Sequence, residues 1–134
     1  MIVGGRITGV NAVKKNDEPA KGMNVNVNVE DLRAEKNLLV IKYEFKITYS
    51  PDNAEIVVKG ELIADEDEKK RREIEDEWKK KKFLPTEFAE DVITAITYAG
   101  TATGTLAAYA LNIGAPINIP RAKLSAPEKK GKAS

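Results

Sequence analysis

The sequence predicts an α+β domain in which a four-stranded antiparallel sheet is followed by a charged helix and a long helix packed on one sheet face. Three observations carry this. Apolar and polar residues alternate through Met23–Val29 and again through Leu38–Tyr49. A turn signal, Ser50-Pro51-Asp52-Asn53, separates the second run from a further strand-like stretch. Apolar residues then recur at three- and four-residue spacing from Phe88 to Ile113. Strands first and helices afterwards is the order of a layered α+β fold.

Ile2–Val13 reads as the first strand, its glycines (Gly4, Gly5, Gly9) marking a bulge or a close backbone approach. Asn16–Gly22 is a loop. Met23–Val29 is the cleanest strand: Met23, Val25, Val27 and Val29 take one face, Asn24, Asn26 and Asn28 the other. Glu30–Asn37 reads as a polar connection. Leu38–Tyr49 places Leu39, Ile41, Tyr43, Phe45, Ile47 and Tyr49 opposite Lys42, Glu44, Lys46 and Thr48. At the turn, Pro51 presets φ and Asn53 tolerates the left-handed region. Ala54–Ala64 returns as the partner strand of a hairpin. Its apolar residues on both faces (Ile56, Val58 and Leu62 against Val57 and Ile63) predict cover on both sides.

Asp65–Lys82 pairs acid with base four residues on, as in Glu66–Lys70, Glu68–Arg72 and Asp76–Lys80. Each such pair supports a helix by about 0.2–0.5 kcal/mol. Ile74 and Trp78 lie one turn apart, so this helix is expected to be solvated and to meet the body through a narrow seam. Pro85 suits the first turn of the next helix. Its expected buried face holds Phe88, Val92, Ala95, Ile96, Ala99, Thr103, Leu106, Tyr109, Ala110 and Ile113. Gly100 and Gly104 predict a bend or break, because each costs about 1 kcal/mol relative to alanine in a helix. Gly114 is expected to cap the helix, with Pro116 and Pro120 preventing continuation. The division is one domain over 1–124 and a disordered basic tail over 125–134.

Bulk composition narrows the function. Charged residues make up 32% of the 134, yet the net charge is +1, which argues against a dedicated nucleic-acid or anionic-membrane binder. No run reaches the ~18 apolar residues of a membrane span. MIVGGRITGV lacks the pattern of a secretory signal, so the expected location is cytoplasmic. Cysteine and histidine are absent, and with them thiol nucleophiles, thiolate metal sites and the usual general base. Heavy Lys and Glu usage with no glutamine leans towards a heat-adapted source.

The remaining patterns read as structural. Gly4-Gly5-Arg6 and Gly100–Gly104 lack a phosphate-loop ending. Glu73, Asp76 and Glu77 each have a basic neighbour on the same helix, which suits a solvated face better than a cation site. Glu87, Glu90 and Asp91 complement the helix dipole rather than form a catalytic pair. The field of Lys79–Lys82 is cancelled by the acidic run before it. The Asn24/Asn26/Asn28 stripe suits solvent or a contact between subunits. Trp78 and Phe83 each read as either an exposed anchor or a core plug. No catalytic residue, cofactor or metal is expected, and the chain is not read as an enzyme.

Phe83-Leu84-Pro85 at the helix entry, and Gly114-Ala115-Pro116-Ile117-Asn118-Ile119-Pro120 at its exit, resemble the corresponding signatures of the SecB-like family. The order of elements over the whole chain is similar too. The resemblance implies an ATP-independent holdase chaperone whose subunits pair through sheet edges and stack through helices into dimers or tetramers. Clients, unfolded or partner polypeptides, lie in apolar grooves between sheet and helix layers. It places client contacts at Trp78, Phe83, Leu84, Ile117 and Ile119. Relatives in toxin–antitoxin systems protect an antitoxin. The export chaperones of the family present an acidic sheet to the export ATPase, whereas this sheet carries Lys42 and Lys46. An adaptor subunit for one folded partner, and a small-molecule carrier or enzyme using a pocket between helix and sheet, are the rival readings.

Overall fold

The computed structural model describes residues 1–114. It contains β1 (Ile2–Lys14), β2 (Gly22–Glu35), β3 (Leu38–Ser50), β4 (Ala54–Ala64), α1 (Glu68–Lys81) and α2 (Thr86–Leu111). The strands form one antiparallel sheet in the order β1-β4-β3-β2. This is the expected α+β arrangement. The expected tail, 125–134, and the prolines 116 and 120 lie outside the described residues.

Alternation on the two central strands makes the core. Leu39, Ile41, Tyr43, Phe45, Ile47 and Tyr49 of β3 share a face with Ile56, Val58 and Leu62 of β4. Ile74 and Trp78 of α1, and Phe88, Val92 and Ile96 of α2, close over it. Neither described helix packs on the opposite sheet face: Val57 and Ile63 are only half-buried there, so among the described residues β4 is covered on one face rather than two. That open face holds a charge lattice. Lys46 meets Glu55, Lys59 meets Glu30 and Glu44, and Glu61 meets Arg6 and Arg33. Alternating signs across strands leave it mixed rather than acidic.

β2 runs six residues beyond the expected end at Val29, through the stretch read as a polar connection. A register shift between Val29 and Asp31 resets the alternation, so that Leu32 turns into the core. The connection to β3 is only Lys36-Asn37, both with positive φ, which fits the twist of a two-residue hairpin. In β1 the register slips between Ile2 and Gly4 and between Ile7 and Gly9, where glycines suggested bulges. Gly60 of β4 is required by close approach: a Cβ there would lie 2.5 Å from Tyr43 Oη and 2.6 Å from the Arg6 carbonyl oxygen.

Asn53 does not adopt the left-handed conformation expected of it; the left-handed residues described are Lys36, Asn37, Lys82 and Asn112. Its side chain is buried and its Nδ2 donates to Asn16 Oδ1 at 3.0 Å and the Glu18 carbonyl at 2.9 Å. The β3–β4 turn is thereby tied to the β1–β2 loop.

α1 starts at Asp67, whose carboxylate accepts from the Lys70 N–H at 2.8 Å, and carries Lys79, Lys80 and Lys81 in its last turn. Ile74 and Trp78 are its buried residues, the narrow seam expected. Pro85 caps α2 rather than opening its first turn. The helix is unbroken through Gly100 and Gly104 and ends on Asn112 in the left-handed region, not on Gly114. Asparagine is, after glycine, a residue that takes this left-handed cap position.

Burial of Tyr43 and Tyr49 raises both phenols above their usual range. Tyr49 Oη also donates to the Gly114 carbonyl at 2.5 Å. The fold therefore favours the protonated, neutral phenol. That stabilisation is complete below the unfolded-chain value of about 10 and is lost as pH climbs through the raised folded values. In an alkaline titration these two phenols are expected to ionise together with loss of circular dichroism. Their ionisation in a fully folded chain would contradict the packing.

Candidate functional site

Between Val92 and Ile113 the chain has no charged residue. α2 is therefore uncharged on all sides over most of its length, while α1 is charged on every exposed side. The buried residues of α2 are Phe88, Val92, Ile96, Gly100, Gly104 and Ala108, one every fourth position. Such a stripe drifts by about 40° per step around a 3.6-residue helix. That drift suits a helix lying along a twisted sheet. The drift and the glycines correct the expected face. Leu106 and Tyr109 point outward, 71% and 70% exposed, as does Tyr98 at 77%. The glycines do not break the helix, and Gly100 brings it down onto the Phe45 ring.

Two apolar clefts flank the N-terminal half of α2. One, of about 420 Å³, lies between β2 and the α1–α2 connection and is lined by Val29, Trp78, Lys82, Phe83, Leu84 and Ile93. Trp78 forms its floor: it is buried, with the Lys82 ammonium 5.2 Å from the ring centroid. Lys82 is held there because it closes α1 in the left-handed conformation, its N–H donating to the Trp78 carbonyl at 2.9 Å. Phe83 forms the rim at 60% exposure, and Leu84 is anchored in the core.

The other cleft is wider and shallower, about 890 Å³, lined by Met1, Ile2, Ile93, Ala95, Thr97 and Tyr98. Met1 is fixed against the β4–α1 junction by its ammonium, which pairs with the Glu66 carboxylate and donates to the Asp65 carbonyl at 3.1 Å. Ile93, 48% exposed, borders both clefts.

Of the expected contact residues, Trp78, Phe83 and Leu84 come together on the first cleft. Trp78 is buried as a core plug, whereas Phe83 is exposed. Ile117 and Ile119 lie outside the described residues. Ile93, Tyr98 and Met1 were not singled out from the sequence. The signal for the first two was present in the loss of charge after Asp91, which leaves the exposed face of the helix without charge. Chemically the clefts offer apolar and aromatic contact, with single charges (Lys82, Glu90, Asp91) at their borders. Among the described residues no group of three or more acidic side chains is placed to hold a metal ion. No described helix is long and apolar enough to cross a membrane.

No protein-family model matches this chain, and no curated protein matches it by sequence. Among solved structures it is similar to the SecB-like chaperone Rv1957 of Mycobacterium tuberculosis, solved in complex with a ChAD peptide from the antitoxin Rv1956 HigA1. The TM-score is 0.60 with 15% sequence identity, over 89% of this chain and 88% of that one. At this identity the likeness shows the fold.

Proposed function

We propose that this chain is a polypeptide-binding protein of SecB-like type, an ATP-independent holdase that captures unfolded segments in the clefts beside α2. The observation that carries the reading is the cleft around Phe83 and Ile93, where large apolar side chains stand half-exposed next to an uncharged helix face. Exposed apolar surface of this kind is costly in water unless something covers it. The similar SecB-like chaperone is seen with a peptide from another protein, which supports a polypeptide as the ligand. Residues 1–124 act as one such domain in this reading, in the cytoplasm, with Ile117 and Ile119 extending the contact surface. The mixed-charge open face gives no reason to include handover to an export ATPase.

The uncharged face of α2 is the surface through which copies assemble into a dimer or tetramer. Sedimentation should show an oligomer, and a monomer at micromolar concentration would remove this part. The holdase itself is tested by light scattering from a heat-unfolding client. A few-fold molar excess of this protein should suppress aggregation without nucleotide; no suppression removes the reading. A non-enzymatic adaptor for one specific partner is the second reading, favoured by the neighbour's complex with the peptide of a single partner. It predicts one stoichiometric companion on purification from the native source.

A further inference from the structure

The two edges of the sheet are protected differently. β1 is bulged twice and carries Arg6 and Lys14. β2 is bulged once, and from there on holds Glu30, Asp31, Arg33 and Glu35. Bulges and charges are the devices by which an edge refuses another strand. Gly22–Asn28, reading GMNVNVN, has neither: it is uncharged and pairs with β3 without a break from Gly22↔Ser50 to Asn28↔Glu44. Among the described residues, β3 is its only strand partner.

What lies beside this edge is also suited to a strand. On the helix side, Met23, Val25 and Val27 extend the apolar face laid down by Tyr49, Ile47 and Phe45. Val25 is 47% exposed. Asn28 and Val29 then form one wall of the cleft that holds Phe83 and Ile93. On the other face, Asn24, Asn26 and Asn28 stand exposed beside the charge lattice. An extended chain lying along β2 has a side-chain period of two. Its alternate residues therefore meet an apolar floor, and the intervening ones meet amides.

We infer that Gly22–Val29 is a strand-addition site, at which an uncharged extended segment of the bound polypeptide pairs with the free edge of β2. Its alternate apolar side chains cover Val25 and Val27 and enter the Phe83 cleft, and its polar ones lie beside Asn24, Asn26 and Asn28. Main-chain hydrogen bonds supply the affinity, so the site accepts any sequence that alternates without charge or proline. This rests on the polypeptide-binding reading and specifies how the polypeptide is held.

The test uses the full chain and a synthetic peptide of alternating valine and threonine flanked by lysines. Two further versions are N-methylated, one at the valine nitrogens and one at the threonine nitrogens. Side chains are unchanged, but each version loses the donors of one edge. The parent should bind and slow hydrogen exchange at the Gly22–Val29 amides. One methylated version should bind at least about tenfold more weakly, the loss expected from two or more hydrogen bonds. The other should bind like the parent. Equal binding by all three overturns the inference, as does an edge already protected before peptide is added. If no peptide binds yet client aggregation is suppressed, strand addition fails and the holdase reading stands. If aggregation is not suppressed either, both fail.

Discussion

Replacing Gly100 with leucine is expected to lower stability by about 3 kcal/mol, at the upper end of the cost of overfilling a packed interior. In a chain of this length that is a fall in Tm of roughly 10 °C. A Cβ at this position would fall inside the contact distance of Phe45 Cγ, Cδ1 and Cδ2. Those atoms sit at the root of the ring, and Phe45 is fully enclosed by the core, so the ring has nowhere to turn. The helix must lift instead, which opens the packing of Val92 and Ile96. Gly100→Ala separates two opposing effects. Alanine gains about 1 kcal/mol in helix propensity, yet it places the same Cβ against the ring, so the variant should still melt below the wild type. Ala102→Gly, on the exposed side of the same helix, should lose only the propensity, about 1 kcal/mol. A Gly100→Ala protein that melts higher than wild type would mean that α2 does not rest on Phe45.

The second large effect is on binding. Phe83→Asp should leave the melting temperature within about 1 °C and abolish suppression of aggregation at the molar excess at which the wild type is effective. Phe83 is the exposed rim of its cleft, so little of the fold depends on it. Covering its ring with a client removes apolar surface from water worth about 1.5–2 kcal/mol, and truncation alone therefore weakens capture by roughly tenfold or more. The carboxylate adds a desolvation cost in an apolar cleft. Leu84→Asp is the contrasting variant: Leu84 belongs to the core, and the same change there should unfold the chain. A Phe83→Asp protein as effective as the wild type would move the site away from this cleft.

Much of the fold was legible because its signals are local. β3 and β4 keep strict alternation with a turn between them, so their faces and pairing follow from period alone. The second half of β2 was not legible, because a bulge at Val29/Asp31 shifts the phase and the sequence VEDLRAE then resembles a polar link. The turn at Lys36-Asn37 hid for a related reason: lysine carries no expectation of positive φ. α2 was recognisable as a helix but not in its orientation. Periodicity finds a face by contrast with charged residues, and from Val92 to Ile113 there are none. Size decided instead: glycine and alanine took the inner positions where backbone and sheet come close, and Leu106 and Tyr109 were left outside.

Of the expected contact residues, Phe83 and Leu84 were named through the resemblance at the helix entry, and both line one cleft. Trp78 kept both of its possible roles until packing chose the buried one. Ile93 required the three-dimensional arrangement, since only there does it border clefts on both sides of α2.

The central claim is that non-native polypeptide lies in the clefts beside α2 and not on the charged open face of the sheet. Site-specific photo-cross-linking measures this directly, with the reactive side chain placed at Phe83 or Ile93 in one set of proteins and at Val57 or Lys59 in the other. An unfolded client should be captured from the first pair of positions and not from the second. Cross-links formed chiefly from Val57 or Lys59, with Phe83 and Ile93 silent, would contradict the account.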